Sequence, residues 1–419
     1  MNRLMCLSSL NLLILGMLVR VPASAADLPT STPEAEGMSV EKLAKVGEIM
    51  NGFVKDKKIA GGIVLIARNG KVVFDETYGL RNLDGKLPVE HDTIFRIYSM
   101  SKAITSAAAL TLVEEGKLDL DAPVSKYLPE FADTKVFDGD NVRPAKSPIT
   151  VRDLFRHTSG ITYGGFGGSK TDSLIELTNA MDLQSDLSVM SAKLGQIPFE
   201  FDPGTKWKYG ASIDVLGYIV QKVSGKPLDK FIKERVLDPL EMNDTGFFVP
   251  AEKQSRFAAN YFSDGKGRLI VRDDPAKSGY LHKPGLFSGG GGMVGTASDY
   301  MRLLLMVANG GEWNGKRILS RELAEQMHTN QLPKGVDWID FGEKRTGVGF
   351  GLGFSVTVEP GEKAPHNHKD EFGWGGAAST HYWVSPRDKL AVVTMEQRWP
   401  YSPETEEMLK PVIYDAIVK

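Results

Sequence analysis

The chain has 419 residues, 42% of them hydrophobic and 25% charged, with a formal net charge of −3. That is the composition of an ordinary soluble globular protein, long enough to bury a large core. It carries no basic block and no acidic tail, so neither nucleic acid nor an anionic membrane surface is an expected partner.

Residues 1–25 read as a secretory signal peptide. Arg3 gives a positive start, Met5 to Val19 is mostly apolar and uncharged, and Ala23-Ser24-Ala25 has the small-x-small form of a cleavage site. The apolar run is too short for a membrane span of about 20 residues. A periplasmic or secreted protein is the expectation. Cys6, the only cysteine, lies early in that run, not at its end where a lipidated cysteine would sit. Cleavage after Ala25 leaves no thiol for a disulfide, a nucleophile or a metal site. No later apolar run is long enough to cross a membrane.

Ala26 to Gly37 is polar and proline-bearing, which suits an extended arm. From Ser39 to Lys55 the apolar residues Leu43, Val46, Ile49, Met50 and Phe53 recur at helical spacing, with Ser39 placed as the N-cap. "GGIVLIARNGKVVFDETYGL" (61–80) predicts a hairpin. Two β-branched runs flank Asn69-Gly70, the favoured pair for a two-residue turn. A helix is expected from near Ser99 through "AITSAAALTLVEEG", stopped by Gly116. From about Pro123 to Pro284, short helical patterns alternate with Gly- and Pro-bearing loops. "VRDLFRHTSGI", "SIDVLGYIVQKVSG" and "LDKFIKERVLDPL" are the helix candidates there. "TASDYMRLLLMVANGG" is a further helix, and "GFGLGFSVTVE", "THYWVSP" and "KLAVVTMEQ" read as strands. The predicted fold is α/β of the α+β type. An antiparallel sheet flanked by helices is built from 26–122 and 285–419, with a mainly helical domain, 123–284, inserted between them.

The Ser-x-x-Lys spacing occurs at Ser39/Lys42 and at Ser99/Lys102. Chance alone supplies roughly one or two such pairs in a chain of this size. Context separates them. Ser39 opens an amphipathic surface helix and reads as a cap. Ser99 opens a helix of small and apolar residues, the kind that is buried. At i and i+3 the two side chains share a face, and a helix N-terminus offers free N–H groups to a developing oxyanion. A lysine of ordinary pKa, about 10.4, is protonated at neutral pH, so the pair is chemically useful only in a desolvated site. Ser101 has no lysine three residues on and reads as a small packing residue. Tyr209, in "PGTKWKYGASIDVLG", supplies a phenol that can pass protons near such a pair. Trp374-Gly375-Gly376 lies just ahead of a strand, where paired glycines allow a close backbone approach.

The order Ser99-x-x-Lys102, "LFRHTSGI", "PGTKWKY", "GWGG" resembles the serine β-lactamase and DD-peptidase superfamily. It is most similar to the family VIII carboxylesterases, themselves like class C β-lactamases. The resemblance spans about Gly37 to the C-terminus. It implies a β-lactamase/transpeptidase-like fold, with Ser99 as the acylated nucleophile and Lys102 and Tyr209 as the general acid/base pair. The Ser99 and Ala377 N–H groups would form the oxyanion hole, and Trp374, Gly375 and Gly376 would line the substrate. It also implies that His157 is structural. No metal and no cofactor is expected.

Two departures bear on substrate. Tyr209-Gly210-Ala211 replaces Tyr-x-Asn, and Trp374-Gly375 replaces the Lys-Thr of Lys-Thr-Gly. The missing groups help hold a β-lactam carboxylate, so neutral esters are favoured over antibiotics. Arg345-Thr346-Gly347 mimics Lys-Thr-Gly but falls too early in the order. "GGFGGSKT" (164–171) lacks the glycine of a phosphate loop, "GVGFGLG" precedes no helix, and G-x-S-x-G is absent from the sequence. His366-Asn367-His368 reads as a solvated loop. The expected function is an exported serine hydrolase acting on small or short-chain esters through an acyl-enzyme. The alternatives are a β-lactamase, a DD- or D-amino peptidase or an acyltransferase, and, from another class, a non-catalytic cell-wall or peptide-binding module. The partner is a small-molecule ester or amide.

Overall fold

A computed structural model describes residues 28–165, 168–264, 266–361 and 366–418. The expected signal peptide lies outside the described residues. Among those residues no helix is long and apolar enough to cross a membrane.

The main sheet has eight strands from the two ends of the chain: β1 (Gly61–Arg68), β2 (Lys71–Asn82), β3 (Leu87–Pro88), β4 (Val348–Phe350), β5 (Ser355–Thr357), β6 (Phe372–Gly376), β7 (Thr380–Ser385) and β8 (Leu390–Glu396). Their order is β4-β5-β6-β7-β8-β1-β2-β3, every pair antiparallel. The two chain segments meet at β1–β8, where Gly62 faces Glu396 and Arg68 faces Leu390. The β1–β2 turn is the predicted one. Asn69 and Gly70 have φ of +52° and +78°, the paired positive values that match the twist of a hairpin. The arm before α1 runs beside β2, with Ser31 N–H donating to Val72 O at 2.9 Å.

Five helices matter here: α1 (Val40–Lys55), α2 (Ser101–Glu114), α3 (Ser212–Ser224), α4 (Ala297–Ala308) and α5 (Glu404–Asp415). Strand residues alternate between two cores, as the period of two requires. Val64, Ile66, Trp383, Leu390 and Val392 pack with α1 and α5 on one face. Ile63, Leu65, Tyr382, Val384, Val393 and Met395 face the other way, into a core shared with α2, α3 and α4. All eight residues of β1 are buried, which is why it reads as a continuous apolar run rather than an alternating one. Leu154, Ile161, Ile213 and Leu216 of the central segment belong to that second core too. Ser39 caps α1 as expected, its Oγ accepting from Lys42 N–H.

Three local expectations change. "GFGLGFSVTVE" is not one strand but the hairpin β4–β5. Gly353, at φ +122°, turns the chain back, and a Cβ on Gly351 would lie 2.2 Å from Met327 O. The helix at 151 ends at Phe155, because His157 and Gly160 adopt positive φ. The central segment also holds two short hairpins, Lys135–Asp138 with Asn141–Pro144 and Asn260–Ser263 with Leu269–Asp273.

Glu396 closes β8 with its side chain fully buried. Burial raises its pKa from 4.5 to about 8. The unfolded chain loses this proton near pH 4.5 and the folded chain only near 8. The stability tied to it is therefore fully present below pH 4.5 and lost as pH rises through 8. The limit of the effect is roughly 5 kcal/mol. Glu396→Gln is expected to melt higher than wild type by several degrees at about pH 9, with the gap closing towards about pH 4. Parallel melting curves across that range would refute the assignment.

Candidate active site

Ser99 does not start the helix as expected. It sits in a single 3₁₀ turn, Tyr98–Met100, and α2 begins at Ser101. The turn is held by the short pairing of Phe95–Arg96 with Val294–Gly295. Tyr98 takes φ +39°, a region that non-glycine residues rarely occupy and that clusters at functional turns. α2 is buried from Ser101 to Leu112, because its alanines let neighbouring elements approach on every side. Lys102 is the second residue of α2 and is 1% exposed. Ser101 is a buried acceptor, taking the Met293 N–H at 3.1 Å. The other Ser-x-x-Lys pair is structural: Lys42 reaches Asp415 at the surface.

Three predicted residues converge. Tyr209 Oη is 2.6 Å from Ser99 Oγ, and Lys102 Nζ is 3.3 Å from the same oxygen. The amine also lies 4.5 Å from the Tyr209 ring centroid. Trp374 comes in on β6, where its Nε1–H points at Tyr209 Oη from 3.4 Å. β6 runs beside the Ser99 turn: a Cβ on Gly376 would lie 2.4 Å from Ile97 O. A Cβ on Gly375 would lie 2.9 Å from Thr380 O and 3.2 Å from the Tyr401 ring. Both glycines are thus demanded by the protein's own packing. Ala377 follows directly and is half-buried.

The surroundings of Tyr209 are aromatic. Its ring lies 4.9 Å from His157, 5.0 Å from Phe341 and 5.4 Å from Trp374. His157 is completely buried, and burial, with Lys102 adding to it, holds its pKa well below 6.5. A neutral imidazole packed edge-on to Phe350 is a wall of the site, in keeping with the structural role expected of it. Phe341, 43% exposed, lies at the rim.

Three further groups complete the constellation, and the sequence reading missed all of them. Tyr163 Oη is 2.9 Å from Lys102 Nζ. Gly290 O accepts from the same amine at 2.6 Å. Asp214, buried in the first turn of α3, accepts from Ser288 Oγ, from Gly290 N–H and from Tyr163 Oη. Burial and the Asp214 charge push the Tyr163 phenol well above 10, so it keeps its proton. A usable signal existed: Tyr163 follows "HTSGIT", Asp214 lies five residues past Tyr209, and "SGGGG" (288–292) is conspicuous.

The sequence matches the Beta-lactamase family over residues 46–412. The chain belongs to the beta-lactamase family. Within that family it is similar to Protein Rv1367c of Mycobacterium tuberculosis, 34% identical over 82% of this chain and 86% of the relative. It is 30% identical to Esterase EstB of Burkholderia gladioli, over 87% and 92%. Among solved structures it resembles EstCE1, described as a hydrolase with promiscuous acyltransferase activity. That match has a TM-score of 0.77 at 25% identity and covers 91% of this chain and all of the other. The antiparallel sheet and flanking helices are those of the beta-lactamase fold.

The competing motifs resolve within this family frame. Arg345-Thr346-Gly347 precedes β4 at the far end of the sheet, whereas the strand beside Ser99 is β6. Ser169 caps the helix Lys170–Leu177, and Lys170 pairs with Asp140. His368 is bound to Asp388 and stacked on Tyr414. Among the described residues no group of three His, Cys, Asp or Glu side chains is placed to hold a metal.

Proposed function

We propose that this beta-lactamase-family protein is an exported carboxylesterase that works through an acyl-enzyme on Ser99. One observation carries the reading: Ser99 Oγ has both a phenol at 2.6 Å and a buried amine at 3.3 Å. In this mechanism Ser99 Oγ attacks the ester carbonyl and its proton passes to the Tyr209–Lys102 pair. The oxyanion is held by the Ser99 and Ala377 N–H groups. The alcohol leaves, taking that proton back. Water then attacks the acyl group, gives a proton to the pair and releases the acid as Ser99 recovers its hydrogen. Metals and cofactors have no part in these steps.

Apolar ester substrates are favoured by the accessible aromatic rings of Tyr209, Phe341 and Trp374, backed by the buried Trp207 and Phe350. They are favoured also by the replacement of the carboxylate-binding motif with Trp374-Gly375. The similarity to EstB and EstCE1 supports the same reading. EstCE1's transferase activity adds a second acceptor: an alcohol in place of water yields transfer from the same acyl-enzyme. The signal-like residues 1–25 support export, which N-terminal sequencing of the mature protein would test. A chain beginning at Ala26 is expected, and a retained Met1 would refute it.

The test is direct. Faster turnover of p-nitrophenyl butyrate than of a chromogenic cephalosporin is expected, with an acyl adduct on Ser99 visible by intact mass. Dominant cephalosporin turnover would make the protein a β-lactamase. Failure of a fluorophosphonate to label Ser99 would favour a non-catalytic binding module.

A further inference from the structure

We infer that Asp214 is a positioning residue. It sets the direction of the Tyr163 hydroxyl and the place of the Gly290 carbonyl, and through them the orientation of Lys102 against Ser99. The inference rests on the acyl-enzyme reading of Ser99.

Asp214 is 0% exposed, and hydrogen bonds occupy both of its oxygens. Oδ1 accepts from Ser288 Oγ at 2.5 Å and from Gly290 N–H at 3.0 Å. Oδ2 accepts from Tyr163 Oη at 3.3 Å. A carboxylate only accepts, and a phenol has one proton. With that proton on Asp214, Tyr163 meets Lys102 Nζ with a lone pair, so the amine is the donor across the 2.9 Å contact. The amine also donates to Gly290 O at 2.6 Å, since a carbonyl cannot do otherwise. Two directions around Nζ are thereby spent, and a further contact of the nitrogen is to Ser99 Oγ.

The same carboxylate governs both anchors, one through its hydroxyl partner and one through a backbone N–H. Gly290 fits nothing larger: a Cβ there would lie 2.3 Å from Asp214 Oδ2 and 2.5 Å from Tyr163 Oη. Gly289 is pinned from the α2 side, its carbonyl taking the Thr105 hydroxyl at 2.8 Å. The loop is wedged between α2 and α3 so that a main-chain oxygen reaches the buried amine beside the Tyr163 hydroxyl.

Asp214→Asn is the informative variant because it keeps the shape and reverses one proton. The amide oxygen can still serve Ser288 and Gly290. Its NH₂ then donates to Tyr163, whose own proton is driven towards Lys102. On p-nitrophenyl butyrate the expected result is a kcat at least about tenfold lower. KM should stay within about twofold and the pH–rate profile should be displaced. Tyr163→Phe should also lower kcat at constant KM. The double variant should be no slower than Tyr163→Phe alone, because without the hydroxyl there is nothing to misdirect. Wild-type kcat and pH profile in Asp214→Asn would overturn the inference, as would losses that multiply in the double variant. If Asp214→Asn does not fold, wild-type kinetics in Tyr163→Phe would overturn it equally. Fluorophosphonate labelling separates the two levels. An unlabelled wild type removes the acyl-enzyme reading, whereas wild-type labelling rates in Asp214→Asn remove only the positioning role.

Discussion

Ser99→Ala is expected to lower kcat for p-nitrophenyl butyrate by at least about ten-thousandfold and to abolish fluorophosphonate labelling. Ser99 Oγ lies within reach of both Tyr209 Oη and Lys102 Nζ and can form an ester with the acyl group. The nearby Ser101 cannot replace it, since its Oγ is buried and engaged with Met293 N–H. The variant should fold, because Ser99 is only partly buried and gives up a hydroxyl rather than a packed side chain. Retained turnover, or an acyl adduct on another residue, would remove Ser99 from the mechanism.

Lys102→Ala and Tyr209→Phe are each expected to lower kcat at least about a hundredfold, the usual scale for losing a general acid/base. The two should differ in stability. Tyr209→Phe keeps the ring contacts with His157, Phe341 and Trp374 and gives up only the hydroxyl, so its melting temperature should stay near wild type. Lys102→Ala strips a buried donor from Tyr163 Oη and Gly290 O, and an unsatisfied buried acceptor costs about 1–3 kcal/mol. Lower stability together with lower kcat is therefore expected for lysine and lower kcat alone for tyrosine. Rates near wild type in either would take that residue out of the proton-transfer pair.

The local devices were legible because each depends on residues a few positions apart. Asn69-Gly70 closes a hairpin, Ser39 caps α1, and Ser99 and Lys102, three residues apart, are brought together across the junction of the 3₁₀ turn and α2. Motif order extended this reading to Tyr209 and Trp374, which do meet at the site. Where periodicity was broken by a positive φ, as at Gly353 and His157, the reading ran elements together. Conformation at a single residue leaves little trace in a hydrophobic pattern.

Composition, turn chemistry and the Ser99–Lys102 spacing pointed to an α/β chain with a serine and an amine three residues apart. They could not reveal what surrounds that amine. Tyr163 reaches Lys102 from 61 positions away and Gly290 from 188. Asp214, which orients both, belongs to a different helix. Those contacts exist because α2, α3 and the 288–292 loop pack into one dry core. Hydrogen-bond direction inside such a core is set by which donors and acceptors end up adjacent, and that is a property of packing rather than of sequence spacing.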